Sequence, residues 1–295
     1  MDIFIHKRKK IYFNNLLTDQ KIKFVDVGSG GQLKYPWALI PEKNLEKLNI
    51  EPIGSSPLCI SNVNGKGVLN IAYDERSSSL HTPLETYINK FGRTQDSTKE
   101  KIDVELLTMD NYLNNERIDA IDINVEGHDF QVLQGMQNII KNSLIKLIKI
   151  EFELTKVWDG QGWFSEIDGF MRDNDYELVD IELEYLRQAN VKNIFHKGIP
   201  VWGKAYYSPS INKFKERNDF FNSYDEILKT IVLYVSADIL GHSFELIDLY
   251  NNHNNNVQKL FQKNDISKIY KFGKLENAAD IIRQMVGKSI RTFIK

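Results

Sequence analysis

An acid just before a glycine-rich turn belongs to the first segment of this chain with the residue types for binding chemistry. Asp26 lies in the otherwise apolar run 24–27, and Gly28, Ser29 and Gly30 follow this run. Glycines permit a positive φ and a close approach of the backbone to a ligand, and a helix beginning after them aims free N–H groups at the same cleft. The segment therefore predicts a first β-strand that ends in a ligand-binding turn.

The charge of Asp26 indicates which ligand this turn binds. A dinucleotide would place its anionic pyrophosphate against the carboxylate, whereas S-adenosylmethionine brings a cationic amino group that a carboxylate can hold. Leu33 also stands where the dinucleotide fingerprint has its third glycine. We therefore predict S-adenosylmethionine as the cofactor and keep an NAD-linked oxidoreductase as an alternative that both residues disfavour.

A second acid has the spacing expected of a cofactor ligand. Glu51 lies 25 residues after Asp26, at the end of the second predicted strand and just before Pro52. In nucleotide-binding α/β folds an acid at this point accepts hydrogen bonds from ribose hydroxyls, because the ends of the two strands are neighbours. Glu51 is therefore predicted to bind the cofactor; the alternative is an exposed loop acid.

A third segment, residues 118–135, places polar groups on one face of a predicted central strand. Asp122, Asn124 and Glu126 alternate there with apolar residues. Central parallel strands are usually apolar on both faces, so these groups need partners or a ligand. The carboxyl end of this strand is therefore a candidate site; the alternative is that Asp122 pairs with a Lys or Arg under a covering helix.

Six segments in this order resemble the FkbM family of S-adenosylmethionine-dependent methyltransferases. The resemblance spans roughly residues 22–207, and it rests on residues 24–28, 50–52, 77–80, 107–113, 121–135 and 148–153. It implies an α/β fold with a doubly wound, mostly parallel seven-stranded class I methyltransferase sheet, which is Rossmann-like. It also implies S-adenosylmethionine as methyl donor and O-methylation of a hydroxyl on a sugar-containing or natural-product acceptor.

Three positions depart from the usual pattern of that family. Asp122 and Asn124 stand where its members usually have a Lys and an Asp, and Gln32 stands where many have a glycine. Asn124 can still form hydrogen bonds, and we include it among the cofactor-binding residues, but it cannot act as a base. A catalytically silent binding module of the same fold is therefore a second alternative.

Methyl transfer to an alcohol requires removal of a proton from the acceptor. The predicted general bases are His128 and Glu126 at the strand end, with Glu151 and Glu153 on the next strand behind them. An unperturbed histidine already titrates in the useful range. The carboxylates of this region could instead hold Mg²⁺, but their spacing matches no metal motif, so no metal is predicted.

The loop after the fifth predicted strand is the predicted acceptor site. Trp158 and Trp163 could stack on a sugar face, while Asp159 and Gln161 bond its hydroxyls. The alternative is a loop whose tryptophans pack on the domain.

The elements that must position these residues follow an alternating α/β order up to residue 208. Residues 1–21 are interpreted as a leader with a solvated basic cluster, residues 22–208 as the methyltransferase domain, and residues 209–295 as a separate α-helical appendage. The predicted strands are Lys23–Val27, Lys47–Glu51, Gly67–Ala72, Ala120–Val125, Leu147–Glu153, Glu177–Glu184 and Lys204–Tyr207.

Composition limits the partners and the location. The 295 residues are 42% hydrophobic and carry a net charge of −2, which supplies no general attraction for nucleic acid. One cysteine and no apolar run long enough for a membrane span indicate a cytoplasmic protein. The expected partner is a small-molecule or glycan acceptor, and the helical region could support a homo-oligomer or bind a glycosyltransferase.

Overall fold

The computed structural model describes residues 2–28, 30–52, 57–191, 196–217, 219–253 and 266, with side chains from residue 6 onward. The strands are β1 (Ile22–Val27), β2 (Leu45–Ile50), β3 (Leu58–Ile60), β4 (Gly65–Ala72), β5 (Thr98–Leu107), β6 (Ala120–Ile123), β7 (Leu147–Glu153), β8 (Tyr176–Leu186) and β9 (Ile199–Pro209). The helices are α1 (Asp2–Leu16), α2 (Glu85–Phe91), α3 (Met109–Leu113), α4 (Asp129–Gln134), α5 (Gln137–Asn142), α6 (Phe164–Asp173), α7 (Ile211–Lys215), α8 (Tyr224–Ser236) and α9 (Leu240–His253).

A mixed, mostly parallel sheet forms the centre of the fold. Its strand order is β2-β1-β6-β7-β9-β8, and β2, β1, β6 and β7 run parallel to one another. Strand β9 is antiparallel to both of its neighbours. Every residue of β7 is buried, as expected for a central strand covered on both faces. The carboxyl ends of β1, β2 and β6 therefore meet at one edge of the sheet.

The predicted seventh strand is not confirmed within the described residues, where the central sheet has six strands. The segment predicted as its third strand, Gly67–Ala72, is part of β4 and lies in a separate sheet of order β3-β5-β4. Strand β5, which the sequence analysis did not predict, pairs antiparallel with β4 along eight positions. This small sheet lies beside the carboxyl edge of the central one.

Helices cover both faces of the central sheet, so the α/β and doubly wound character of the fold is confirmed. One face packs against α4, α5 and α6 through buried residues such as Val132, Ile139 and Ile167. The other face packs against α1, α8 and α9. In the ranges that the structure describes, no helix is long and apolar enough to cross a membrane.

The two ends of the chain are not separate from the sheet as far as they are described. Phe13 of α1 and Leu233 of α8 belong to the same buried cluster as Phe24 of β1. Lys9, expected in a solvated cluster, is fully buried and donates to Ser236 O at 3.2 Å. The interpretations of a solvated leader and a detached appendage are therefore wrong for these residues, because both helices bury apolar faces on the sheet. Division of the chain at residues 21 and 208 stays a prediction.

Candidate active site

A cavity of about 620 Å³ lies at the carboxyl ends of β1, β2 and β6. The glycine turn, Glu51 and Asn124 line its central-sheet side, and the small sheet contributes apolar residues such as Leu58 and Leu69. Four of the predicted cofactor-binding residues are thus brought together in one cavity: Gly28, Gly30, Glu51 and Asn124. Ser29 lies outside the described residues.

Backbone geometry makes glycine necessary at the first position of the turn. Gly28 has φ +80°, and a Cβ there would lie 2.3 Å from Asn124 O. Its N–H donates to Ile50 O at 3.1 Å, which joins the turn to the end of β2. Only glycine lets the ends of β1 and β6 approach this closely.

Glu51 holds the turn from the neighbouring strand end. Its Oε1 accepts hydrogen bonds from Gly30 N at 2.9 Å and from Gly31 N at 3.1 Å. Burial and the nearby Asp26 raise the pKa of this carboxyl, although the two backbone bonds act in the opposite direction. Glu51 thus combines a structural role with exposure to the cavity.

Asp26 occupies a different place from the one that its charge predicted. The side chain is buried, forms an ion pair with Lys47 Nζ at 3.4 Å and is not among the residues that line the cavity. Lys47 also donates to Gly31 O. Asp26 therefore contacts a side chain of β2 that also holds the turn.

Asn124 supplies a polar atom directed to no protein partner. It lines the cavity, and its buried Oδ1 has no hydrogen-bond partner among the described residues. A buried amide oxygen without a partner is costly unless a ligand or water satisfies it. Together with the glycine turn, this oxygen makes the cavity suited to a polar ligand of cofactor size.

Glu126 projects from a constrained turn just beyond β6. Its φ of +56° lies in the left-handed region, which is uncommon for a residue with a side chain. Ser79 Oγ donates to Glu126 O at 2.6 Å, and the Asp129 carboxylate accepts from Val125 N at 3.2 Å and Gly127 N at 3.1 Å. These contacts hold the backbone in a conformation that directs Glu126 to the cavity.

A second cavity, of about 330 Å³, adjoins the first, and Glu126 lines both. The second cavity is rich in carboxylates, including Glu151 and Glu153 of β7, and Trp158 and Trp202 also line it. Burial, followed by the charges of Glu151 and Asp129, raises the pKa of Glu126 well above its ordinary value. Glu126, at the junction of the two cavities, therefore keeps its proton to a higher pH than an exposed glutamate does.

His128 lines the first cavity, but its ring nitrogens are both engaged. Nε2 lies 3.0 Å from Ser61 Oγ, and Nδ1 lies 3.1 Å from His81 Nε2. Burial and then His81 lower the pKa of His128 to about 3. The histidine is consequently a much weaker base than an exposed imidazole, which the sequence prediction assumed.

Asp122 is buried and lines neither cavity, and the pairing alternative is confirmed. Its Oδ2 accepts from Trp37 Nε1 at 2.7 Å and pairs with Lys149 Nζ at 2.8 Å. Lys149 is the residue directly across from Asp122 on β7. Among the described residues, no group of three or more His, Cys, Asp or Glu side chains is arranged to hold a metal ion.

The predicted acceptor loop divides into buried and exposed parts. Gln161 is buried and bonds its own loop: Oε1 accepts from Val157 N at 2.7 Å and Trp158 N at 2.8 Å. Trp158 is buried and lines the second cavity, whereas Asp159 and Trp163 are exposed and line neither cavity. Only Trp158 of the four predicted residues reaches a cavity.

Several residues that shape the site were not predicted from the sequence. Ser61, Ser79, His81 and Asp129 hold Glu126 and His128 in place. Ser79 and Asp129 belong to segments of the family resemblance, and this was the available signal for them. Ser61 and His81 become recognisable only through contacts between distant parts of the chain.

Comparison with protein-family models gives a match to the methyltransferase FkbM domain over residues 18–178, which is more than half of the chain. The chain belongs to this family. The FkbM chain is accordingly a methyltransferase whose methyl donor is S-adenosylmethionine. The glycine turn and the unpartnered Asn124 oxygen fit such a donor in the first cavity.

Solved structures similar to the FkbM chain include two methyltransferases of low sequence identity. Magnesium protoporphyrin IX methyltransferase from Synechocystis PCC 6803 with bound SAM is 11% identical, with 70% of this chain and 81% of that chain covered and a TM-score of 0.29. A structure described as a putative RNA methyltransferase from Pyrococcus horikoshii is 12% identical, with 70% and 82% covered and a TM-score of 0.31. A search of curated proteins gave no match.

Proposed function

We propose that the protein transfers a methyl group from S-adenosylmethionine to a hydroxyl of a sugar or glycan precursor. The observation that supports this acceptor is the second cavity, which adjoins the donor cavity at Glu126 and is lined by carboxylates and by Trp158 and Trp202. Carboxylates accept hydrogen bonds from hydroxyls, and indole faces suit the apolar face of a sugar ring. We propose further that the fold is that of the class I methyltransferases.

The donor is assigned to the first cavity. Gly28 and Gly30 bring backbone close to it, Glu51 accepts hydrogen bonds from ribose hydroxyls, and Asn124 Oδ1 accepts one more. Asp26 acts through Lys47, which holds the turn, rather than by touching the donor. When bound, S-adenosylmethionine supplies an electrophilic methyl group on a sulfonium.

Glu126 is assigned as the general base. It lies at the junction of the cavities; its ionised form takes the proton from the acceptor hydroxyl, and the raised pKa makes that form a stronger base than an ordinary carboxylate. His128, with its lowered pKa and both nitrogens engaged, is assigned to the positioning of the strand end. Fixing the acceptor oxygen in line with the methyl carbon contributes the rest of the acceleration.

The test is Glu126→Gln, assayed by transfer of labelled methyl from S-adenosylmethionine to a panel of sugars. We expect kcat to fall by about 10²- to 10⁴-fold because the base is lost. The affinity for S-adenosylhomocysteine should stay within about threefold, since the first cavity keeps its backbone contacts. Glu100→Gln, which changes an exposed glutamate of β5, is the matched control. Full turnover of Glu126→Gln would contradict the assignment.

A silent binding module is no longer favoured by Asp122, because this residue is paired away from the site. Binding of S-adenosylhomocysteine without methyl transfer to any sugar of the panel would nevertheless restore that interpretation. The NAD-linked alternative has no support from the family match. A cytoplasmic location, a homo-oligomer and a glycosyltransferase partner stay predictions.

A further inference from the structure

We infer that the acceptor carries a primary ammonium group beside its hydroxyls, as an amino sugar with a free amine does, and that Glu151 and Glu153 bind this group in the second cavity. The inference rests on the proposed function, because it names the substrate class of the same site. Its basis is a pair of buried carboxylates that have no hydrogen-bond or ion-pair partner among the described residues.

Glu151 and Glu153 are the acids in question. Their exposed fractions are 8% and 3%, and both line the second cavity. As residues i and i+2 of β7, they point to the same face of the sheet. Within the described part of the chain, neither side chain has an ion pair or a hydrogen bond to another residue. A buried carboxylate in this situation is costly unless a ligand compensates it.

Another acid of the same cavity shows what full pairing looks like. Asp96 is also buried, and it accepts from Arg93 Nε at 2.8 Å, from Tyr87 Oη at 2.9 Å and from Ser77 Oγ at 3.0 Å. Three neighbours therefore satisfy the Asp96 carboxylate, whereas the described residues supply no such partner to the pair on β7. This contrast with Asp96 supports the inference that Glu151 and Glu153 bind a ligand.

The cations that line this cavity are fewer than its acids. Arg93 pairs with Asp96, Arg76 pairs with Asp74, and Lys34 also lines the cavity. Lys204 lies opposite Glu151 in the sheet, where its charge acts on Glu151, but its ion pair is with Glu184 at 3.4 Å. The cavity consequently has an excess of acidic side chains. In agreement, burial raises the pKa of Glu151 to about 7 and that of Glu153 well above its ordinary value.

The lining favours an organic cation over a metal ion or a neutral group. Trp158 and Trp202 line the same cavity, and indole faces attract ammonium groups. The described acids include no group with the arrangement of a metal site. A neutral hydroxyl would do little to stabilise the ionised form of these carboxyls, whereas an ammonium group favours that form and supplies three donors.

The experiment compares two sugars that differ only at the amine. D-glucosamine and N-acetyl-D-glucosamine are titrated calorimetrically into the full chain loaded with S-adenosylhomocysteine. We expect glucosamine to bind at least about tenfold more tightly, since only its amine is charged. The double variant Glu151→Gln, Glu153→Gln should abolish this preference, and Glu100→Gln should keep it. Both glutamine side chains are isosteric with glutamate, and an unchanged circular dichroism spectrum verifies the fold.

Absence of a preference for glucosamine overturns the inference, whether both sugars bind or neither does. Displacement of glucosamine by Mg²⁺ or Ca²⁺ at equal concentration also overturns it, because the site would then be one for metal ions. Methyl transfer to the acetylated and amino sugars alike would overturn the inference while supporting the proposed function. A glucosamine preference without any methyl transfer would support this binding site and count against the proposed function.

Discussion

The two cavities at the edge of the central sheet adjoin each other but are built from different chemical groups. The first contains a backbone turn whose N–H groups bond Glu51, beside apolar side chains of the small sheet. The second is formed by side chains, with Glu151 and Glu153 in a buried position. Glu126 belongs to both. The difference shows that one edge of a sheet can carry two adjacent cavities, one with a preorganised backbone turn and one with buried carboxylates.

The two cavities differ because their polar groups come from different parts of the fold. Turns beyond β1 and β6 expose backbone, which is neutral and rigid. Strand β7 instead contributes side chains from within the sheet, so their charges are removed from water. We therefore expect substitutions in the first cavity to change ligand binding most, and substitutions in the second to change stability with pH.

The largest expected effect is that of Gly28→Ala on the first cavity. The new Cβ would lie 2.3 Å from Asn124 O at a φ of +80°, so the ends of β1 and β6 must separate. Affinity for S-adenosylhomocysteine should fall by about 100-fold, measured by calorimetric titration. The glucosamine preference of the second cavity should persist in the folded fraction.

The graded control for that substitution is Gly30→Ala. Gly30 has a similar φ of +77°, but a Cβ there meets nothing within 4 Å among the described atoms. Its cost is the strain of the left-handed conformation alone, about 1 kcal/mol. Equal losses of affinity in the two variants would show that backbone conformation matters here and that the approach to Asn124 does not.

An intermediate effect is expected from Glu151→Gln on stability. The folded-state pKa of Glu151 is about 7, above its ordinary value of 4.5. The folded protein therefore holds this proton more tightly, and the free energy of unfolding should fall as pH rises from about 4.5 to about 7. Glutamine does not titrate, so the stability gained over the wild type should grow to about 3 kcal/mol above that range.

Urea unfolding at a series of pH values measures this difference. Lys204 and Lys149 lower the pKa of Glu151, and Glu184 and Asp122 raise it. The charge of Glu151 in turn acts on Glu126, Asp129 and Glu153. Glu100→Gln should follow the wild-type curve at every pH. Parallel curves for Glu151→Gln and the wild type would contradict the buried, uncompensated charge on which the comparison of the cavities rests.

The smallest expected effect concerns the loop beside the second cavity. Gln161→Ala removes three hydrogen bonds within the loop, to Val157, Trp158 and Thr155, and should cost about 2 kcal/mol of unfolding free energy. Trp163→Ala changes a side chain that is 39% exposed and should cost about 0.5 kcal/mol. Thermal unfolding distinguishes the two. Equal stability of both variants would mean that Gln161 does not hold the loop.

Much of the central sheet could be predicted because its pattern is local. The apolar runs of β1 and β7 and the glycine turn are visible in short windows of sequence, and the spacing of Glu51 from Asp26 placed the acid correctly at the cavity. The pairing of Asp122 was stated as an alternative, although its partners Trp37 and Lys149 could not be named. Strand β5 was missed because exposed, charged residues alternate along it.

The sequence by itself determined that this chain builds a glycine turn at the end of a buried strand, and that its family is that of the FkbM methyltransferases. Only the tertiary structure decided how its polar groups are used. Asp26 pairs with Lys47 on β2, and His128 meets His81, which is 47 residues away. Residue type sets what a side chain can do, but its pKa and partners depend on burial and on neighbours from distant segments.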